Sequence, residues 1–258
     1  MAPASDPDRN PRPSNTIPSF DSESILIKKG RTVKKRMVVF ALCLAVASPM
    51  FAQKKEDDRL AKSATALREI LVDQGLPTSI IDQADCVVVF PSVKKVAVGI
   101  GGSYGRGVLV CRNGADMKGD WGAPAMYKLD QGSVGVQLGS TATDFVLVVM
   151  NHHGAEQILN GKTKLGANAA AAAGPTGAAA TGYNAASMKV DVLTYSRTKG
   201  LFAGVSLEGA SMDSDDDANK ALYGKQISAK DIVEGGQAAP PSAKELIGEL
   251  DKVSGAGK

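Results

Sequence analysis

Aromatic residues, histidine and cysteine are scarce in this chain of 258 residues. It contains one tryptophan, two histidines and three cysteines, and aromatic side chains make up 5% of its residues. The histidines, His152 and His153, are adjacent, so their side chains point apart at the end of a strand. No cluster of cysteines or carboxylates accompanies them to complete a tetrahedral set of ligands. The sequence therefore predicts no metal site.

Glycine-rich motifs occur, but they lack the context that catalysis needs. Residues 101–105 match the hydrolase pattern G-x-S-x-G, whose serine sits on a sharp turn between a strand and a helix. A second strand-like run follows here, so we expect Ser103 to have no nucleophilic role. The chain has no dinucleotide fingerprint and no Gly-Lys-Ser/Thr phosphate loop. These observations favour a protein that is not an enzyme and needs no cofactor.

A large surplus of one charge sign is also missing. The whole chain has 30 basic and 27 acidic residues, a formal net charge of +3. Residues 1–52 hold 8 of the basic and 4 of the acidic side chains, so residues 53–258 carry 22 and 23, a net charge of −1. Binding the phosphates of nucleic acid requires many cations on one surface. We therefore expect no nucleic-acid partner, although local basic patches remain compatible with this balance.

Residues 1–52 have the three parts of a secretory leader. A basic cluster at residues 34–36 precedes an apolar run at residues 37–47 and a small-residue exit near Ala52. The apolar run is too short to span a bilayer as a permanent helix. We predict a disordered segment followed by a signal peptide, and export to the periplasm or another envelope location. An uncleaved N-terminal anchor is the alternative.

Residues 86–111 are the stretch around which the fold is predicted to form. Their β-branched runs favour strands, and the proline-containing and glycine-rich segments between them are typical of turns. The pattern predicts three short antiparallel strands, at residues 87–90, 96–100 and 107–110. Lys94 and Lys95 then lie on the first turn, and Arg106 leaves the second.

Cys86 and Cys111 are the two cysteines of the predicted mature protein. In a meander of three short strands they lie at opposite ends of neighbouring strands. The sequence therefore favours two small buried thiols. A disulfide is the alternative, because an exported protein reaches an oxidising compartment.

Helical patterns flank the predicted strands. Apolar residues recur at helical spacing in residues 60–71, and we expect this amphipathic helix to pack on the core, because acidic residues balance its cations. A shorter helix is predicted at residues 78–84 and a polar one at residues 243–253. The Ala/Gly-rich residues 165–186 favour a hairpin of small side chains. Together these patterns predict an α+β fold, an antiparallel sheet or partly closed β-barrel flanked by short helices.

The single tryptophan, Trp121, lies in a polar, Gly-rich loop. A ring of this size is more often buried than exposed. Packing over the sheet is therefore favoured, and a position at a binding interface is the alternative.

Six sequence blocks in a fixed order resemble the SYLF domain family. They are VVVFPSVKKVAVGIGGSYGRGVLV, DWGAPAMYKL, GSVGVQLGSTATDFVLVVMN, KLGANAAAAAGP, YSRTKGLFAGVSLEGA and DANKALYG. The resemblance covers approximately residues 60–233. It implies a SYLF-like domain at residues 53–235, preceded by the leader at 1–52 and followed by a linker and polar helix at 236–258.

The resemblance, rather than composition or spacing, implies binding to membrane lipids. Eukaryotic members bind phosphoinositides or other anionic lipids, fungal members also bind filamentous actin, and bacterial exported members resemble lipid-associated envelope proteins. Anionic phospholipid or phosphoinositide-like headgroups are therefore the expected partners, and the implied lipid-binding residues are Lys94, Lys95, Arg106 and Trp121. Actin is not expected as a partner of an exported protein. A scaffold for envelope protein partners, without lipid specificity, is the alternative.

Overall fold

The computed structural model describes residues 52–72, 75–98, 100–134, 139–176, 190–198, 207 and 209–254. All of them belong to one compact unit, residues 47–258. Three predicted features lie wholly or largely outside the described residues. They are the leader, the second half of the Ala/Gly hairpin and most of residues 201–211, in which alternating apolar and polar or small residues predict a strand.

Eight described strands form one sheet. In chain order they are β1 (Cys86–Val98), β2 (Ile100–Cys111), β3 (Ala125–Val134), β4 (Gly139–Val149), β5 (Thr163–Lys164), β6 (Ala171–Ala173), β7 (Val192–Thr198) and β8 (Ser211–Ser214). Their order in the sheet is β5-β8-β3-β2-β1-β4-β7-β6. The sheet curls into a half-barrel, and β6 pairs with β7 in parallel. The predicted α+β class is confirmed, but the sheet is mixed rather than wholly antiparallel.

Helices of the described chain pack on both faces of the sheet. They are α1 (residues 52–72), α2 (Thr78–Gln83), α3 (His152–Leu159), α4 (Asp216–Tyr223), α5 (Ala229–Glu234) and α6 (Lys244–Val253). The short helix predicted after Pro77 and the terminal helix are both confirmed. The two histidines, which the sequence places at the end of a strand, begin α3.

Successive side chains of β1 contribute alternately to two apolar clusters, one on each face of the sheet. Val87 and Val89 join one apolar cluster with α1 and α6, whereas Val88 and Phe90 join another with α3 and α5. Successive side chains of a strand point to opposite faces, so an unbroken apolar run is typical of a strand buried on both sides. Leu60, Ala64, Leu67 and Ile70 of α1 are buried, as predicted, and Leu71 is partly buried. Leu246 and Leu250 of α6 are also buried.

The predicted three-strand meander is wrong, because residues 86–111 form a single long hairpin. The proline-containing segment that favoured a turn is a bulge within β1, where the register with β2 shifts between Val89 and Lys94. Pro91 has no N–H to donate, and Ser92 has a φ of 53°. The backbone N–H of Ser92 instead donates to Asp144 Oδ1 at 2.7 Å. Turn-forming residues thus kink this strand without ending it.

Two glycines of β2 lie opposite the bulge, where the strands approach too closely for a side chain. A Cβ at Gly107 would lie 2.2 Å from the Val89 carbonyl oxygen, and one at Gly105 would lie 2.6 Å from Val93 Cγ2. Glycines spaced in this way are typical of a turn. Here, however, glycine is required because β2 packs closely against β1.

The prediction of two unpaired thiols is also wrong. Cys86 and Cys111 are directly opposite in the β1/β2 register and form a disulfide. Because β1 and β2 run the whole length of one hairpin, its first and last residues meet at its open end. The earlier expectation placed them apart only because it divided this hairpin into three strands.

Trp121 is buried, as the size of its ring predicted. Its ring is 5% exposed, and its Nε1 donates a hydrogen bond to Ser254 Oγ at 3.0 Å. The Arg112 guanidinium stacks over the ring at 4.4 Å from its centroid. The same guanidinium donates to the carbonyl oxygens of Ala84, Gly119 and Asp82. This cluster ties the Trp121 loop to the C-terminal end of the chain.

Candidate functional site

A basic cleft of about 540 Å³ opens between the first half of α1 and the bulged region of the β1/β2 hairpin. Pro91, Ser92, Tyr104 and Gly105 form part of its wall. Its cationic side chains are Lys55, Arg59 and Lys62 of α1, Lys94 of β1 and Arg106 of β2. Two of the predicted site residues, Lys94 and Arg106, therefore line the same cleft.

The contribution of α1 was missed by the sequence analysis. Acidic and basic side chains of the helix balance as a total, so its net charge indicates no basic site. Lys55, Arg59 and Lys62 follow one another at intervals of four and three residues, which places them on the same helical face. This spacing was the available signal, because only the cations on that face reach the cleft.

Lys94 and Lys95 do not lie on the same face of the sheet. Both lie within β1, where Lys94 is opposite Tyr104 and Lys95 is opposite Ser103. Consecutive strand residues point to opposite faces, and Lys94 lines the basic cleft whereas Lys95 does not. The expectation that the two lysines share a turn is therefore wrong.

Arg106 is held in place by two neighbours. Its Nε hydrogen-bonds the Tyr104 hydroxyl, and it lies 3.3 Å from Asp215 Oδ2. The Tyr104 contact raises the pKa of Arg106 above its ordinary value, so the guanidinium stays charged. Asp215 caps the N-terminus of α4, which fixes the carboxylate that orients Arg106.

Arg59 connects the cleft to a buried acidic pair. Its Nη1 lies 2.5 Å from Glu56 Oε2 and 3.8 Å from Asp215 Oδ2. Those two carboxylate oxygens are buried and accept no hydrogen bond of good geometry in the described structure. Burial raises the pKa of Glu56, which the positive charge of Arg59 opposes, and burial lowers the pKa of Arg59. The two arginines are thus partly neutralised by acids, which also hold them in place.

The three lysines of the cleft have a different environment. Lys55, Lys62 and Lys94 are exposed, and no described acidic side chain lies within ion-pair distance of them. Two anchored arginines beside three unpaired lysines are chemically suited to a multiply charged anion, because phosphate oxygens accept both guanidinium and ammonium hydrogen bonds.

The remaining predicted residues lie elsewhere. Trp121 does not line the basic cleft, and its ring is buried in the cluster with Arg112. Ser103 lies inside β2 and not on a turn between a strand and a helix. Within the described ranges, no group of three potential ligands is placed to hold a metal ion. No helix in that part of the chain is long and apolar enough to cross a bilayer.

Comparisons with known proteins identify the family. A family model named Ysc84, described as "Las17-binding protein actin regulator", matches residues 130–253. The SH3 domain-containing protein PJ696.02 of Schizosaccharomyces pombe is 35% identical over 209 residues, which is 79% of this chain and 47% of that protein. Protein YSC84 of Saccharomyces cerevisiae is 31% identical over 200 residues, 74% of this chain and 42% of that protein.

A human relative extends the match beyond fungi. The SH3 domain-containing YSC84-like protein 1 of Homo sapiens is 30% identical over 203 residues, 77% of this chain and 58% of that protein. The chain thus matches about half the length of these relatives. Their names describe SH3-containing and YSC84-like proteins and do not describe enzymes. The chain belongs to the Ysc84 (SYLF) family.

Proposed function

We propose that this protein is an exported, envelope-associated, non-catalytic protein that binds anionic phospholipid headgroups in the basic cleft. The observation that carries the proposal is the convergence of five cations from three elements on one open cleft, although residues 53–258 have a net charge of −1. The resemblance to lipid-binding members of the family points to the same ligand class.

The magnitude of the attraction supports reversible attachment. A Lys or Arg near an anionic membrane surface contributes about 1 kcal/mol. Asp215 and Glu56 reduce the contribution of the two arginines, so the three unpaired lysines supply roughly 3 kcal/mol. Such attachment depends on salt, because exposed charges are screened over about 10 Å at 0.1 M ionic strength.

A protein-binding role is the second candidate. The family model is described as a Las17-binding actin regulator, and one yeast relative is named LAS seventeen-binding protein 3. By this analogy the chain binds a protein partner in the envelope. The predicted export makes actin itself an unsuitable partner, so this candidate requires a different protein.

Sedimentation with vesicles tests the lipid proposal, using residues 1–258 and two adjacent substitutions. We expect the wild type to sediment with phosphatidylglycerol vesicles and not with phosphatidylcholine vesicles, and binding to weaken as salt rises. Lys94→Glu should reduce binding about tenfold or more, because it reverses a charge in the cleft. Lys95→Glu is the matched control, since it makes the same charge change on the opposite face.

The leader is common to all these variants, so differences between them report on the cleft. Equal loss in the Lys94 and Lys95 variants would show that binding follows total charge and not this site. A folded wild type that binds neither vesicle would contradict the lipid proposal and favour the protein partner.

A further inference from the structure

A second cleft, of about 720 Å³, adjoins the basic cleft. Lys94 and Tyr104 line both clefts, so these residues form the boundary between them. The further cations of the second cleft are Lys162 and Lys164, which are exposed. Lys162 directly precedes β5, and Lys164 is its second residue. Neither has an acidic partner within ion-pair distance among the described residues.

The sheet register arranges the residues of the second cleft in a row. Across five neighbouring strands, from β5 to β1, the directly opposed residues are Lys164, Ser211, Asp130, Tyr104 and Lys94. Directly opposed residues project from the same face of a sheet. With neighbouring strands about 4.8 Å apart, the backbone positions of Lys94 and Lys164 are separated by roughly 19 Å along the sheet. Lys94 and Lys164 therefore lie at opposite ends of the row, and both line the second cleft.

A recess without side chains lies beside this row. Gly102 and Gly132 are directly opposed on β2 and β3, two residues from Tyr104 and Asp130 and on the same face. A Cβ added at Gly132 would meet no atom within 4 Å. The second cleft is therefore open space, bordered by three lysines and by one carboxylate, that of Asp130.

We propose that the two clefts together bind one ligand with two phosphate groups, the first in the basic cleft and the second beside Lys162 and Lys164. This inference rests on the proposed function and specifies its ligand class. Lys94, at the boundary, contacts both phosphates. Once the first phosphate of the ligand is bound, the second is held near its cleft at a high effective concentration. Binding of the second phosphate therefore raises the affinity for the whole ligand. It thereby strengthens the weak attachment that three lysines provide.

Cardiolipin and phosphatidylglycerol vesicles test the proposal with matched chemistry. Both lipids carry phosphodiesters, two per molecule in the first and one in the second, so vesicles are compared at equal phosphate content. We expect the full chain to bind cardiolipin vesicles on the order of tenfold more tightly. Lys162→Gln/Lys164→Gln should abolish this preference, because it lowers binding to cardiolipin vesicles by more than binding to phosphatidylglycerol vesicles.

Two further variants separate a shaped site from general charge. Gly132→Tyr fills the recess without changing charge, and it should also abolish the preference. Lys220→Gln/Lys225→Gln removes the same charge from exposed positions outside both clefts, and it should retain the preference. Circular dichroism of each variant establishes that it is folded.

A soluble pair of probes distinguishes the source of the two phosphates. If fructose 1,6-bisphosphate binds in the absence of vesicles, and fructose 6-phosphate binds at least tenfold more weakly, the ligand class includes soluble bisphosphates. If neither binds but cardiolipin is preferred, the ligand is a lipid. Equal binding of the two vesicles by the wild type, or a preference that survives Lys162→Gln/Lys164→Gln, overturns the two-phosphate proposal while leaving the basic cleft intact. Absence of binding to both vesicles and both sugars overturns both proposals.

Discussion

Glu56 is a buried carboxylate that pairs with Arg59, one of the cations of the basic cleft. Burial raises its pKa above the ordinary value of 4.5, even though Arg59 acts in the opposite direction. A carboxyl group with a higher pKa in the folded protein binds protons preferentially in that state. Its contribution to stability therefore falls as pH rises from 4.5 through the raised pKa.

We predict that Glu56→Gln removes this pH-dependent contribution. The free energy of unfolding, measured with urea between pH 4 and pH 7, should fall less with rising pH in the variant than in the wild type. Asp58→Asn, a change at an exposed position on the same helix, should keep the wild-type slope because Glu56 is intact. Identical slopes for Glu56→Gln and the wild type would contradict the assignment.

Trp121 provides an internal probe, because it is the only tryptophan in the chain. The ring is 5% exposed, so its emission should be blue-shifted in the folded protein. We predict that vesicle binding leaves this emission unchanged and that brominated lipids do not quench it, because the ring packs on Arg112. Quenching on vesicle binding would instead support the role in lipid contact that the family resemblance implied.

At the scale of elements, the β1/β2 hairpin organises the molecule. Its bulge at Pro91 and Ser92 positions Lys94 on the cleft face, and its open end is closed by the disulfide. The α1 helix lies against the same hairpin through its buried apolar stripe, which brings its cations to the cleft. The site is thus built by a helix packing on a bulged hairpin.

We predict that Cys86→Ala/Cys111→Ala lowers the free energy of unfolding by about 3 kcal/mol. A disulfide stabilises mainly by restricting the unfolded chain, and this figure corresponds to its sequence separation of 25 residues. Urea unfolding of the wild type with and without reductant isolates the cross-link from the lost side-chain volume. Cys43→Ala, at the third cysteine, is the control and should leave stability unchanged. Two reactive thiols at Cys86 and Cys111 in the denatured, unreduced protein would contradict the pairing.

At the scale of the whole molecule, charge placement matters more than net charge. Residues 53–258 carry a net charge of −1, yet two adjoining clefts gather cations from α1, β1, β2 and β5. Glu56 and Asp215 are buried behind the arginines, and Asp130 is an acidic residue that lines the second cleft. A composition that argues against nucleic acid is therefore compatible with a local anion-binding surface.

Much of the fold, but only part of the candidate site, was predictable from the sequence. The α1 stripe, the short helix before β1 and the burial of Trp121 follow from local periodicity and side-chain size. Lys94 and Arg106 were predicted as site residues through the family resemblance. Lys162 and Lys164 carried no comparable signal, because they reach the site only through the pairing of β5 with β8.

The sequence by itself determined the α+β class, the amphipathic helices and the strand-forming runs, because these depend on residue type and short-range spacing. Tertiary structure decided the pairing of Cys86 with Cys111, the separation of Lys94 from Lys95 and the meeting of α1 with the hairpin. Each of these depends on strand register. A bulge can accommodate proline and glycine residues that would end a regular strand. The clefts exist because that register brings distant lysines and arginines to one face of the sheet.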